Sequence, residues 1–337
     1  GAAIEFRRAL NKYSESRLLR SFWAGWTLSF EALDYGTGVA AASGSEEGLL
    51  AAFDNPNLVY GQITASTSSK GLSEARINFG FDFKPGHQAD LTIYTYLSIP
   101  GSMRTQTAQY LFEALRGYNH HVGIGFGTHI QLPLYQSDCG DIFFYLDGDV
   151  NNLFSCKQMR TLDLNDKPWS RFLLLNKADG TSVASIPATQ ILTQKVHVKA
   201  YTVGDIALGF RFQYYGLEAE LGYALWGHGT ERLELVDNFA SDYGIAGSTL
   251  TNSASNSTIA MLAANDTNFT PIVQTDLNLS SGAAGSVITN RVNGAIGYLF
   301  FGAKFDTLIG LGAFFEAPQN NAMVRQWGIW SKIGLFF

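Results

Sequence analysis

Apolar and polar residues alternate one by one along several segments of the chain. In 71–84, for example, Ala75, Ile77, Phe79 and Phe81 alternate with polar, charged or glycine positions. Successive side chains of a β-strand point to opposite faces, so this pattern predicts strands with one apolar face and one mixed face. About twelve such strands are predicted, at 20–33, 71–84, 88–99, 118–132, 139–146, 149–164, 168–177, 190–215, 216–229, 290–303, 305–316 and 322–337.

The last predicted strand carries the alternation to the final residue of the sequence. One face holds Trp327, Ile329, Ile333, Leu335 and Phe337. A last strand of this kind, with an aromatic residue at its end, resembles that of bacterial outer-membrane β-barrel proteins, porin-like ones among them. The resemblance implies an all-β fold, a transmembrane antiparallel up-and-down β-barrel in the bacterial outer membrane. It also implies contact with outer-membrane lipid and lipopolysaccharide.

Composition fits this class but leaves the number of strands open. Hydrophobic residues make up 46% of the chain, yet no run of about 18 apolar residues is present. A chain that crosses a membrane without such a run must do so as a closed sheet, because every backbone group in lipid needs a partner. Ten strands are expected if 147–192 is one folded-in loop, and fourteen if 57–66 pairs with a further strand.

The net charge of −6 argues against a nucleic-acid partner.

The resemblance also orients the chain, because it places the end of the last strand in the periplasm. Counting strands backwards then makes 34–57, 99–117 and 230–289 long extracellular loops. Residues 1–19, which are basic and have loosely helical spacing, are expected to form a periplasmic segment or one that enters the barrel mouth, and the barrel is expected to occupy 20–337. Long outer loops and short inner turns are the usual asymmetry of such barrels.

The dipeptide Asp147-Gly148 favours a tight hairpin, because it is typical of type I′ turns. Pairing around this turn puts Cys139 directly opposite Cys156. These are the 2 cysteines of the chain, so the register predicts a disulfide between them, in keeping with an oxidising compartment.

Charged residues on the mixed faces would be costly in a dry core but not beside water, so they are candidates for the lining and constriction of a pore. These candidates are Glu31, Glu74, Arg76, Asp82, His121, His129, His197, Lys199, Arg211, Glu218, Glu220 and Lys332. Their mixed signs predict no strong charge selectivity. Trp26, Trp327 and Phe337 lie on apolar faces and are candidates for aromatic girdles at the two membrane surfaces.

The sequence therefore predicts a channel for passive diffusion of small hydrophilic solutes and ions, with a homo-oligomer left open. The alternative is a structural surface protein with a plugged interior and binding outer loops. No catalytic residue, metal ligand or cofactor is predicted, because no Gly-x-Ser-x-Gly elbow occurs and the histidines lack close ligand spacing. An enzyme is accordingly not expected.

Overall fold

The structure is a computed structural model, and it is all-β with a few short helical turns. It describes residues 2–9, 21–36, 58–63, 66–84, 89–101, 106–111, 113–177, 186–245, 270–301, 306–320, 323 and 325–336. No helix within these ranges is long and apolar enough to cross a membrane.

Most of the described residues belong to one large antiparallel sheet of eleven strands. Each strand pairs with the next one of the sheet along the chain, so the sheet is a meander. Its strands are β1 (Ala2–Ala9), β2 (Phe22–Gly36), β3 (Ser66–Phe83), β4 (Asp90–Pro100), β5 (Gly123–Gln136), β6 (Gly140–Leu153), β12 (Thr202–Tyr214), β13 (Leu217–His228), β18 (Val287–Phe300), β19 (Asp306–Pro318) and β20 (Gln326–Phe336).

The alternation in the sequence becomes two chemically different faces of this sheet. Because the register is continuous, Ile77 lies beside Trp26 on one strand and Leu97 on the next, and all three belong to the apolar face. Arg76 lies on the opposite face, in register with Thr27 and Ser98. We call this opposite face, with its charged and hydroxyl-bearing side chains, the polar wall.

The two ends of the large sheet differ in the length of their connections. At one end β12 and β13 are joined by Tyr215 and Gly216 alone, and β5 and β6 by 137–139. At the other end the connections include 101–122, 154–201 and 229–286. Consecutive strands alternate in direction, so short and long connections fall on opposite ends. The predicted asymmetry between short turns and long loops is present in the chain, whichever end lies outside a cell.

The long connections contain three small sheets, which together we call the cap. Its strands are β7 (Cys156–Thr161), β8 (Asp163–Leu164), β9 (Leu174–Lys177), β10 (Ile186–Pro187), β11 (Thr193–Lys199), β14 (Arg232–Leu235), β15 (Ala240–Ile245), β16 (Thr270–Val273) and β17 (Leu277–Asn278), with a one-turn helix α1 (Thr189–Leu192) and 3₁₀ turns at Ser170–Phe172, Gln274–Asp276 and Leu279–Gly282. Its core includes Leu162, Leu175, Leu192, Val196 and Val198, which are fully buried. The cap therefore has the apolar interior of a water-soluble domain.

The described strands differ from the predicted segments at several positions. Residues 2–9 form β1 and pair with β2, whereas loosely helical spacing was expected there. The predicted strand at 168–177 is instead a 3₁₀ turn followed by the short cap strand β9. The predicted strand 190–215 is divided at Ala200 and Tyr201, where the chain passes from β11 of the cap to β12 of the large sheet.

The predicted hairpin at Asp147-Gly148 is wrong, and the disulfide prediction falls with it. β6 runs without a break through both residues, with Gly148 in register with Thr128 on one side and Ile206 on the other. Pairing on both edges of the strand outweighs the local turn preference. Cys139 and Cys156 consequently lie beyond opposite ends of β6, and both thiols are free.

Candidate functional site

The polar wall carries ion pairs that are stacked on aromatic rings. Arg76 donates to Glu74 over 2.9 Å and lies 3.5 Å from a carboxylate oxygen of Asp149. Its guanidinium carbon lies 4.4 Å from the ring centre of Tyr96, whose hydroxyl donates to Asp149 over 2.6 Å. Cation–π contact and two carboxylates thus hold the guanidinium in one place.

The ring of Tyr96 can lie flat because the residue opposite it on β5 is Gly125. A β-carbon at Gly125 would lie 2.0 Å from Cζ of Tyr96, far inside van der Waals contact. The order from the sheet outward is therefore glycine, ring, guanidinium and carboxylate. Glycine is needed here because it leaves room for the ring. A turn conformation is not the reason, since the backbone of Gly125 is ordinary strand.

The same arrangement recurs at the other three arginines of the wall. Each arginine lies over an aromatic ring, each ring covers a cross-strand glycine, and each guanidinium pairs with a carboxylate. The three sets are Arg7 with Trp23, Gly80 and Asp82, at 3.9 Å from cation to ring; Arg211 with Tyr145, Gly209 and Glu220, at 6.0 Å; and Arg291 with Phe314, Gly328 and Glu316, at 5.1 Å. We call these four sets the arginine stacks.

Carboxylates on the polar wall outnumber its cations. Among the described residues, the cations are Arg7, Arg76, Arg211, Arg291, Lys332 and, just after β3, Lys84, whereas the carboxylates are Glu5, Glu31, Glu74, Asp82, Asp90, Asp141, Asp147, Asp149, Asp205, Glu218, Glu220, Asp306 and Glu316. Each arginine of the stacks is paired with a carboxylate, so the remaining carboxylates give the wall a net negative charge.

Open space lies against this wall. A cavity of about 560 Å³ is bordered by Arg7, Trp23, Arg76, His129 and Asp147, among others. His129 and Asp147 face each other across β5 and β6, with a nitrogen-to-oxygen distance of 2.5 Å. Nearer the short turns, a second cavity of about 400 Å³ is lined by residues that include Asp141 and Arg211. Water and small solutes can therefore reach the wall along much of its height.

The connection between β4 and β5 joins the wall to the cap. Arg76 donates to the hydroxyl of Tyr118 over 3.4 Å, and Arg116 donates to the backbone of Leu72 over 3.0 Å. Burial raises the pKa of Tyr118, so this hydroxyl stays protonated at neutral pH. Further along, Asn119 donates to Gln158 of the cap over 3.0 Å. The contacts hold one loop between the two regions of the molecule.

A buried polar cluster lies where β7 of the cap begins. His121 uses its Nδ1 towards the carbonyl of Phe154 at 2.7 Å, which leaves Nε2 as an acceptor. Nε2 faces Gln158 at 3.1 Å and the thiol of Cys156 at 3.4 Å. Burial lowers the pKa of His121 and raises the pKa of the Cys156 thiol, so both groups are neutral near pH 7. The cluster satisfies polar groups and does not activate the thiol.

The structure separates the sequence-predicted wall residues into two groups. Glu31, Glu74, Arg76, Asp82, His129, Arg211, Glu218, Glu220 and Lys332 lie on the polar wall. His121 lies instead in the cap-side cluster, where it is 2% exposed. His197 and Lys199 also lie away from the wall, because β11 belongs to the cap, where Lys199 pairs with Glu234.

The proposed girdle residues lie on the apolar face where they are described. Trp26 is 40% exposed and stacks on Phe6, while Trp327 is 74% exposed. Phe337 lies outside the described residues. Whether these rings mark membrane surfaces stays a prediction.

Sequence reasoning missed several members of the wall. Asp147 was assigned to a turn and Asp149 to the start of the strand after it, and the aromatic partners Tyr96, Tyr145 and Phe314 were not singled out. One available signal was parity, since Asp147 and Asp149 alternate with Gly148 and Val150 without a break. Comparison with protein-family models and with curated proteins finds no match to this sequence, so the site must be interpreted from its own geometry.

Proposed function

We propose that the chain is an outer-membrane β-barrel that acts as a passive channel for small hydrophilic solutes and ions. The observation that carries the proposal is the inverted polarity of the large sheet. Phe79, Ile296 and Ile333 on the apolar face are 54%, 57% and 75% exposed, while charged groups line the other face. Exposed apolar surface of this extent is costly in water and favourable in lipid.

In this proposal the sheet closes so that the polar wall encloses water. Closure is part of the proposal, because no pairing joins β1 to β20 in the described residues. Both edge strands run from the long-connection end to the short-turn end. Direct pairing of the two would therefore be parallel, whereas one further strand would pair antiparallel with both. Either arrangement would remove the exposed sheet edges.

Conductance across planar lipid bilayers tests the channel directly. We expect discrete current steps after the purified protein is added, and swelling of proteoliposomes in small sugars with a size limit. The solutes would pass along the wall cavities bordered by the arginine stacks. Bilayers that show no steps, together with liposomes that do not swell, would contradict a channel.

A plugged structural barrel is the second candidate, and the cap favours it. The cap packs its own apolar core at one end of the wall, and Tyr118 of the adjoining loop reaches Arg76. A closed end of this kind would leave the outer surface of the cap for binding. The same bilayer and swelling measurements separate the two candidates, since a plugged barrel inserts into lipid without conducting.

Thiol labelling tests whether the sheet spans the membrane, independently of conduction. β6 covers roughly 45 Å between Cys139 and Cys156 at about 3.3 Å per residue. In oriented vesicles, a membrane-impermeant maleimide should label C156S protein, which keeps only the exposed Cys139, from one side of the membrane only. C139S protein keeps only Cys156, and labelling it after denaturation shows whether that thiol reacts once it is no longer buried. Labelling of Cys139 from both sides of intact vesicles would refute a spanning strand.

A further inference from the structure

We infer that the polar wall selects cations over anions, an inference that rests on the channel function proposed above. It departs from the expectation drawn from the sequence, where mixed signs predicted no strong selectivity. The difference comes from which charges are neutralised by neighbours and which remain to act on a passing ion.

The four wall arginines are neutralised where they stand. Arg7, Arg76, Arg211 and Arg291 each pair with at least one carboxylate, and Arg76 and Arg211 each lie near two. The aromatic ring beneath each guanidinium restrains it further. A guanidinium in such a stack contributes little net positive potential to the water beside it.

Several wall carboxylates form no direct pair of this kind. Glu5, Asp141 and Asp205 make no ion pair or hydrogen bond with the described residues. Asp205 lies directly opposite Asp149 on β6, so two acidic residues occupy one cross-strand pair. Like charges opposite each other are destabilising unless a cation lies between or near them.

These carboxylates without a direct ion pair are spread along the wall rather than gathered in one cluster. Glu5 borders the larger cavity, and Asp141 borders the one nearer the short turns. A water-filled passage with one sign of charge and low-dielectric walls concentrates counter-ions and excludes co-ions. A small cation would therefore meet a negative potential along much of the wall.

The reversal potential in a potassium chloride gradient measures this preference. With the intact protein in planar bilayers, we expect K⁺ to permeate roughly ten times more readily than Cl⁻ at 0.1 M salt. At 1 M salt the ratio should fall several-fold, because the screening length shortens from about 10 Å to about 3 Å.

Matched variants locate the preference on the wall. The triple variant Glu5→Gln, Asp141→Asn and Asp205→Asn should lower the K⁺/Cl⁻ ratio to within about twofold of unity, since isosteric amides remove the charge and keep the volume. Lys332→Gln removes a wall cation and should raise the ratio. Glu234→Gln removes one carboxylate from the cap, away from the wall, and should leave the ratio unchanged.

The outcomes separate this inference from the channel proposal. Steps of current with a reversal potential near zero, or of the sign for chloride, would overturn cation selectivity and leave the channel intact. An absence of current would overturn both. A preference that survives in the triple variant would also overturn the inference, because its source would then lie away from these carboxylates.

Discussion

The large sheet and the cap use the same apolar residues in opposite ways. In the cap, Leu162 and Val196 are fully buried, as in any domain that folds in water. In the large sheet, Ile296 and Ile333 are more than half exposed, while the charged stacks face inward on the proposed barrel. The same chain therefore buries its apolar side chains in one region and exposes them in the other.

The difference teaches that burial must be interpreted against the solvent of each region. Alternation alone indicates a strand with two unlike faces, and it does not say which face meets water. The cap supplies an internal reference, because its apolar core marks the part of the chain that is built for water. In the proposed barrel, the exposed apolar face beside it would meet lipid, a second and apolar solvent.

The largest expected effect is a charge placed in the cap core. Leu162→Asp should reduce the free energy of unfolding of the cap by about 4 kcal/mol or more, because the carboxylate would be buried without a partner. Hydrogen exchange of cap peptides measures it. Val273→Asp changes an exposed position of the same region and should alter stability by about 0.5 kcal/mol or less. Equal hydrogen-exchange protection in the two variants would contradict the contrast between the buried and the exposed position.

The next effect concerns the apolar face in lipid. Ile296→Arg, near the middle of β18, should cost about 2–4 kcal/mol of folding free energy in lipid vesicles. Ile288→Arg, on the same face near the strand end, should cost about 0–1 kcal/mol. Urea titration followed by tryptophan fluorescence gives both values. Similar costs at the two depths would mean that this face does not meet a bilayer.

A third prediction tests the glycine beneath a stacked ring. Gly125→Ala should cost about 1–3 kcal/mol, because its β-carbon displaces Tyr96 from the wall and breaks the bond to Asp149. Gly294→Ala is a control whose β-carbon lies 3.6 Å from the nearest backbone oxygen. Urea titration in lipid compares the two. Combining Gly125→Ala with Tyr96→Ala should remove most of the clash, and a fully additive loss would contradict this explanation.

The smallest effect is a pH dependence confined to the cap side. Burial lowers the pKa of His121, so the unfolded state takes up the proton more readily than the folded one. The stability that neutral His121 contributes is fully present above pH 6.5 and is lost as the pH falls through the lowered pKa of the folded state. Hydrogen exchange of 154–161 at pH 7.5 and 5.5 should show this loss. H121Q should abolish the difference, whereas H120N, at a left-handed neighbouring position, should retain it.

The sequence predicted the strands whose two faces differ strongly. Nine of the predicted strand segments correspond in the main to strands of the large sheet, because period-two patterning is a direct consequence of backbone geometry. Boundaries shifted by several residues where loops continue the pairing, as in β3, which begins at Ser66. Closure of the sheet is not contained in a local pattern, and it remains part of the proposal.

The errors came from signals that neighbours can override. Asp147-Gly148 favours a turn by itself, but β6 has a paired strand on each side and the alternation passes through it unbroken. In 190–215, conversely, parity is continuous while the chain moves from cap to sheet at Tyr201. The arginine stacks were beyond reach because each combines residues from different strands, and only the register brings Arg76 over Tyr96.

The cap is made from two insertions, 154–201 and 229–286, that separate neighbouring strands of the large sheet. Its pairs β11–β14 and β8–β17 each join one insertion to the other. Neither insertion alone can complete the cap, because each supplies pairing partners to the other. The finished cap therefore links β6, β12, β13 and β18 to one another at the long-connection end, beyond the hydrogen bonds of the large sheet.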